Sequence, residues 1–208
     1  MGDATFAQRA AWVRQGLLLE YATVGYNVLE GVIAVASGLA AGSVALIGFG
    51  FDSAIEVAAG SILLWRLRAE FGGGAVAERV ERRAEQLIGI TFFLLAGYIL
   101  QSSLEQFINH HQAQESPVGI GLAVFSLASM PLVALWKRRL AGRLGSRALA
   151  AEAMEQFVCS YLSLALLLGL GANALFGWWW ADPIAALAML PIVVREGWEA
   201  IRGEEEEA

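Results

Sequence analysis

The stretch of residues 43–65, SVALIGFGFDSAIEVAAGSILLW, is apolar or small throughout except for two acids, Asp52 and Glu56. A helix needs roughly 20 apolar residues to cross the hydrocarbon core of a bilayer, and this stretch is long enough to do so. Asp52 and Glu56 stand four residues apart, which places them on one face of a helix. The stretch therefore predicts a membrane-spanning helix with an acidic face.

Composition and five further apolar stretches extend this prediction to the whole chain. The 208 residues are 57% hydrophobic and only 16% charged, whereas a soluble domain has about 25% charged residues. This excludes disorder, a nucleic-acid-binding module and most soluble enzymes, and one cysteine excludes a disulfide framework. We predict an all-α polytopic membrane protein, a single domain over residues 1–208 with an acidic tail at 202–208. Its other five spans are expected at about 16–39, 84–108, 118–136, 146–170 and 180–201.

The basic residues are distributed to one side of the predicted membrane. All 14 lysines and arginines lie in four segments. These are the segment before the first span, the connection between the second and third spans, the connection between the fourth and fifth spans, and the end of the sixth span. The connections at 40–42, 109–117 and 171–179 contain none. Because cytoplasmic loops are enriched in Lys and Arg, both termini are predicted to be cytoplasmic. We read no signal peptide in residues 1–15 and expect a multi-pass protein of the bacterial inner membrane.

Several acids lie inside the predicted spans, where each charge costs about 2.5–3.5 kcal/mol near a helix centre. No basic residue lies in the middle of a span, so we expect these acids to have no internal salt bridges. They would then be protonated, hydrated or bound to a cation, and each of these states indicates cation or proton handling. The acids are Glu30, Asp52, Glu56, Glu152 and Glu155.

Spacing brings the acids of two spans to a similar depth. Asp52 lies nine residues beyond Ser43 at the outer end of its span, and Glu155 lies nine residues beyond Ser146 at the inner end of another. Both are therefore about 13 Å deep, close to the midplane of a ~30 Å core. Cys159 follows Glu155 by four residues on the same helix face. Three carboxylates and a thiolate suffice for a tetrahedral cation site. The predicted ligands are Asp52, Glu56, Glu155 and Cys159.

Each remaining polar residue has a structural interpretation beside an accessory or proton-handling one. A lone cysteine on an apolar helix, such as Cys159, usually behaves as a small hydrophobe. Glu30 has Asn27 as a candidate hydrogen-bond partner, and Glu152 is placed to face a wet cytoplasmic vestibule. Asp182 precedes a proline at the start of the sixth span, where helix N-capping explains an acid. The accessory candidates are Glu30, Asn27, Glu152 and Asp182.

Three segments resemble a known family of membrane proteins. Residues 42–46, GSVAL, followed by 51–56, FDSAIE, resemble the second transmembrane helix of the cation diffusion facilitator family. Residues 151–159, AEAMEQFVC, are similar to its fifth helix, which usually carries His-x-x-x-Asp. Residues 182–187, DPIAAL, are similar to the start of its sixth helix. Six spans with both ends inside match as well, so the resemblance covers nearly the whole chain.

The resemblance implies a metal exporter that works by exchange with protons, is not an enzyme and has no resident cofactor. The four predicted ligands fall on the family's ligand positions, with Glu155 where His is usual and Cys159 where Asp is usual. The thiolate favours zinc, cadmium or cobalt, so zinc is the expected divalent substrate. The chain looks like a transmembrane-only member without the usual cytoplasmic C-terminal domain. A homodimer in lipid, with no nucleic-acid partner, is expected.

Three other functions are compatible with the same residues. A cation channel would use the acids as a selectivity element, and a non-transporting partner subunit or metal sensor would share the fold. An intramembrane enzyme would use Cys159 as its nucleophile and Glu155 as its base, but no span has a central histidine. No nucleotide-binding motif appears, which excludes a pump driven by ATP.

Overall fold

The computed structural model describes residues 6–71, 78–110 and 113–202 and consists of six helices with no strand in those ranges. The predicted all-α fold is confirmed. Four of the helices contain segments long and apolar enough to cross a bilayer, at residues 11–41, 44–62, 117–144 and 152–176. Residues 203–208 of the predicted acidic tail lie outside the described residues. The helices are α1 (Phe6–Ala41), α2 (Val44–Phe71), α3 (Glu78–Asn109), α4 (Pro117–Leu144), α5 (Arg147–Phe176) and α6 (Ala181–Arg202).

The helices associate chiefly in three pairs, in which α1 packs along α2, α4 along α5, and α3 along α6. Glycines make the closest approaches. A Cβ at Gly50 of α2 would lie 2.8 Å from the backbone nitrogen of Val35, and one at Gly89 of α3 would lie 2.8 Å from the carbonyl oxygen of Gly197. Helices in lipid gain no hydrophobic free energy from association, so close van der Waals packing at small residues holds such pairs together.

The buried core contains residues of all six helices. It contains fully buried large side chains such as Phe49, Ile99 and Met130, and Cys159 is part of the same cluster. Large apolar side chains on the outer faces are exposed instead, Leu29 and Leu132 among them. This arrangement fits helices whose outer faces contact lipid, and it leaves the bundle interior as the place where polar groups meet.

Asp182 caps α2 rather than its own helix. The Ser43 hydroxyl donates to its Oδ1 at 2.5 Å, and the backbone N–H groups of Val44 and Ala45 donate to its Oδ2 at 2.8 and 3.4 Å. The expectation that Asp182 caps α6 is thereby corrected, because α6 already begins at Ala181. The first N–H groups of a helix have no partner within it, and a carboxylate from α6 supplies one here.

A buried ion network joins three helices toward their predicted cytoplasmic ends. Lys137 Nζ of α4 lies 2.9 Å from Glu20 Oε2 of α1 and 2.6 Å from Glu152 Oε2 of α5, and the lysine side chain is 0% exposed. On α2, a Cβ at Gly60 would lie 2.8 Å from Glu20 Oε1, so the glycine gives that carboxylate room in its present position. The network therefore joins α1, α4 and α5 and lies against α2.

Lys137 contradicts the expectation that no basic residue pairs with the acids inside the spans. The fourth span was expected to end at residue 136, but α4 continues to Leu144 and carries Lys137 into the interior. Glu152 consequently has a salt-bridge partner. The physical reason is that two carboxylates offset the large cost of desolvating an ammonium group, which the apolar pattern of α4 alone does not reveal.

Replacing Asp182 by alanine should destabilise the bundle, because two backbone N–H groups and the Ser43 hydroxyl lose a buried acceptor. We expect a loss of about 1–3 kcal/mol in the free energy of unfolding. Thermal unfolding of the purified protein in detergent measures it. Glu199→Ala is the control, since Glu199 makes an exposed pair with Arg195 that should contribute less than about 1 kcal/mol. An unfolding temperature for Asp182→Ala equal to that of the control would contradict the capping role.

Removing only the lysine from the ion network should lower the free energy of unfolding more than removing all three charged side chains. Lys137→Met leaves two buried carboxylates without a counter-charge, a change that typically costs about 3–5 kcal/mol. Adding Glu20→Gln and Glu152→Gln to that variant should recover most of the loss, since uncharged replacements of a buried network are often near neutral. Denaturation in detergent micelles compares the two variants. A triple variant less stable than Lys137→Met alone would refute the electrostatic explanation.

Candidate metal centre

Three side chains from different helices converge in the middle of the bundle, and we refer to Glu30, Glu56 and Cys159 as the central cluster. One ligand atom from each lies within 4.8 Å of the others. The Cys159 Sγ is 3.7 Å from Glu56 Oε2. Glu30 belongs to α1, Glu56 to α2 and Cys159 to α5, and both Glu30 and Cys159 are buried. The structure thus brings two of the four predicted ligands together with one predicted accessory residue.

Three hydroxyl groups hold the Glu30 carboxylate in place. The Tyr26 hydroxyl donates to Glu30 Oε1 at 2.8 Å, and the Ser126 hydroxyl of α4 donates to the same oxygen. The Ser53 hydroxyl of α2 lies 3.1 Å from Oε2 and 3.1 Å from the Phe49 carbonyl oxygen, so the two acceptors share its proton. Hydrogen bonds from neutral donors favour the ionised form of a carboxylate without neutralising it. Glu30 is therefore a fixed acceptor at the contact between α1, α2 and α4.

Asn27, one turn before Glu30 on α1, contacts Glu56 rather than Glu30. Its Nδ2 donates to Glu56 Oε2 at 3.0 Å, while its Oδ1 has no hydrogen-bond partner among the described residues. The side chain is only 2% exposed. The sequence-based prediction that Asn27 is a hydrogen-bond partner of Glu30 is therefore wrong. The amide instead orients the Glu56 carboxylate beside Cys159.

Asp52 and Glu155, the other two predicted ligands, flank the central cluster. Asp52 is buried one turn before Glu56 on α2, and Glu155 is partly buried one turn before Cys159 on α5. Neither belongs to the group of ligand atoms that lie within 4.8 Å of one another. In this conformation the four predicted ligands therefore lie along the interior rather than around one point.

Sequence reasoning missed two further acids inside the predicted spans. Glu196 of α6 lies within electrostatic range of both Asp52 and Glu155. Glu20 of α1 belongs to the ion network with Lys137. Both acids fall inside the predicted stretches 16–39 and 180–201, so the cost of an acid in an apolar helix was a signal available for each. Their position near the cytoplasmic ends made that signal weaker.

The central cluster has no cationic side chain to balance its charge. Among the residues that the structure describes, the ion pairs join Lys137 to Glu20 and Glu152, and Arg195 to Glu199. None includes a member of the cluster. A buried carboxylate or thiolate that lacks a positive partner must carry a proton or bind a cation. Carboxylate and thiolate ligands together are typical of zinc and of softer divalent ions.

Comparisons with known proteins agree with the fold. A family model described as the cation efflux transmembrane domain matches residues 22–203. An uncharacterized transporter, sll1263, of Synechocystis sp. is 26% identical over 153 residues, which are 71% of this chain and 49% of that protein. The magnetosome protein MamB of Magnetospira sp. (strain QH-2) is 25% identical over 188 residues, 86% of this chain and 61% of that protein.

The chain spans about half to three-fifths of the length of these two relatives. The family match, in contrast, extends from the middle of α1 to the end of α6 and includes every member of the central cluster. The helices have apolar outer faces and acids gathered inside, and acids within membrane-spanning helices mark functional sites by default. The protein belongs to the cation efflux family.

Proposed function

We propose that the protein moves a divalent metal cation, with zinc preferred, across the membrane in exchange for protons. The observation that carries this proposal is the buried central cluster, in which Glu56 and Cys159 contact each other beside Glu30 with no cationic partner. The proposed binding path comprises the four residues expected from the sequence. These are Asp52, Glu56, Glu155 and Cys159.

Exchange with protons follows from the chemistry of the ligands. Carboxylates and thiolates bind a metal only when deprotonated, so metal binding releases protons and protons compete the metal off. In a low-dielectric interior, several uncompensated negative charges are costly, and protons are the simplest replacement for the departing cation. The same groups therefore serve both substrates, and the energy of a proton gradient becomes available for metal movement.

The order of the acids along the bundle suggests the route. With both termini cytoplasmic, α5 runs outward, so Glu155 lies on the cytoplasmic side of Cys159. Helix α2 runs inward, so Asp52 lies on the outer side of Glu56. A cation from the cytoplasm meets Glu155 first, reaches Glu56 and Cys159 near the midplane, and leaves past Asp52. Binding near the midplane between helices suits alternating access, in which helices rock around the site.

Opposite movement of protons and metal should be lost in the Asp52→Asn variant. The change removes a charge from the route while leaving a side chain of the same size, so folding should be unaffected and metal flux should fall at least about tenfold. The assay uses proteoliposomes that contain a pH-sensitive dye and a metal indicator, with imposed gradients of zinc or protons. Glu105→Gln is the control, because Glu105 is an exposed acid near the outer end of α3.

Two results of this assay would oppose the proposal. Zinc flux that never moves protons, whatever the pH gradient, would favour the cation channel. No zinc flux from folded wild-type protein would favour the non-transporting partner or metal sensor. Wild-type flux in Asp52→Asn would be consistent with a transporter but would show that Asp52 is not part of the route.

Replacing Cys159 by serine should change metal preference, because a hydroxyl is a harder and weaker ligand than a thiolate. Transport of zinc and cadmium should fall more than transport of manganese, with the zinc-to-manganese ratio lower by roughly tenfold, the scale of modest changes around a metal site. Competition among the three metals in the liposome assay measures the ratio. An unchanged ratio would indicate that Cys159 has a purely structural role in the core.

A further inference from the structure

We propose that helix α1 contributes two metal ligands, the Glu30 carboxylate and the Asn27 amide oxygen. A cation at the centre of the bundle would then be held by three helices rather than by α2 and α5 alone. This inference rests on the proposed function, since the bound ion is the transported divalent cation. It adds ligands that the resemblance to the family does not imply. The full set is Asn27, Glu30, Glu56 and Cys159.

The first argument is proximity. A Glu30 carboxylate oxygen lies within 4.8 Å of both the Glu56 carboxylate and the Cys159 sulfur. Ligand-to-zinc distances of about 2.0–2.3 Å place two ligands of one ion roughly 3–4 Å apart, so small side-chain adjustments bring these three atoms to one cation. Asp52 and Glu155 are not within this distance of the group in the present conformation.

The second argument is the unpaired oxygen of Asn27, which is independent of the acids. The amide is buried, its Nδ2 is fixed on Glu56 Oε2 at 3.0 Å, and its Oδ1 accepts no hydrogen bond from a described residue. Rotating the amide by half a turn would set Oδ1 against a carboxylate oxygen, which is repulsive. A buried carbonyl oxygen without a donor is unfavourable, and a cation bound to Glu56 would supply the missing positive partner.

The third argument is the surroundings of Glu30. A carboxylate has about four lone-pair positions. Hydroxyl groups of Tyr26, Ser53 and Ser126 occupy three of them. One position remains for a metal, and hydroxyl donors of this kind orient ligands in the outer shell of metal sites. The alternative is that Glu30 only ties α1 to α2 and α4 by hydrogen bonds, and the experiment below separates the two roles.

The chemistry of this set selects among ions. Two carboxylates, one thiolate and one neutral carbonyl give four ligands, three of them hard and one soft. Such a set suits four-coordinate zinc, cobalt or cadmium, whereas calcium prefers six to eight oxygens and magnesium retains most of its water. A neutral amide from α1, in place of another acid, also limits the negative charge gathered at one buried point.

The test measures metal binding to the purified full chain in lipid nanodiscs, with zinc by calorimetry and cobalt by visible absorption. Cobalt absorption reports the number and type of ligands. We expect Glu30→Gln to weaken zinc binding by more than tenfold and to change the cobalt spectrum, and Asn27→Ala to do so to a smaller extent. Glu30→His, which offers a replacement ligand, should recover most of the affinity with a spectrum of its own. Glu105→Gln is the control, an exposed acid of α3 outside the central cluster.

A structural role for Glu30 would give a different result. Glu30→Gln and Asn27→Ala would then change the unfolding temperature of the metal-free protein, while the zinc affinity and the cobalt spectrum would stay as in the wild type, and that outcome overturns the inference. Should Glu30→Gln fail to fold, Asn27→Ala and Ser126→Ala decide by the same two measurements. Loss of affinity with an altered spectrum supports α1 ligands, and wild-type values refute them.

Transport assays keep this inference separate from the proposed function. Wild-type protein that binds zinc through Glu30 but moves no zinc in liposomes would contradict the transporter and leave the ligand assignment standing. Wild-type protein that transports zinc, together with Glu30→Gln protein that binds zinc normally, would contradict the ligand assignment and leave the transporter standing.

Discussion

The structure depends on how an apolar bundle accommodates buried acids. In the membrane interior each uncompensated charge is expensive, and water is not available to solvate it. This chain uses two solutions. Toward the predicted cytoplasmic ends, one cation, Lys137, pairs with two carboxylates, those of Glu20 and Glu152. In the middle, Glu30 and Glu56 receive hydrogen bonds from hydroxyl and amide groups, which orient the carboxylates without removing their charge. The first arrangement contains a positive charge of its own, and the second requires a proton or a cation.

This difference assigns structural and functional tasks to separate acids. The ion network closes α1, α4 and α5 around Lys137, with Gly60 of α2 packed against it, so each of its carboxylates has a positive partner within the protein. Asp182 is likewise satisfied, because α2 gives it two N–H groups and a serine hydroxyl. Among the described residues, neither the central cluster nor the neighbouring Asp52 takes part in an ion pair. Burial of an acid is thus a weaker indication of function than burial with neither a positive partner nor the N–H groups of a helix start.

The sequence was sufficient for the all-helical membrane fold, because six long apolar stretches and a one-sided distribution of basic residues leave few alternatives. It also drew attention to Glu56 and Cys159, which the structure brings into contact. It was misleading for Lys137, since a lysine at the end of an apolar stretch normally reaches toward the interface, and only the neighbouring helices reveal its two carboxylate partners. It could not predict that Asp182 caps α2, because that contact depends on how α6 lies against α2. Periodicity gives the face of a residue on its own helix but not the helix it faces.

The position of Glu30 connects metal binding to the arrangement of the helix pairs. Helix α1 packs along α2 and α4 along α5, and the carboxylate of Glu30 accepts hydrogen bonds from Ser53 of the first pair and Ser126 of the second. Glu56 and Cys159, which come from the same two pairs, meet within reach of it. A cation drawn to this point would be held from both sides of the contact between the pairs, and protons replacing it would weaken that attachment. In the proposed exchange, the occupant of the central cluster therefore determines how firmly the two pairs are joined, which is what helices that rock around a fixed site require.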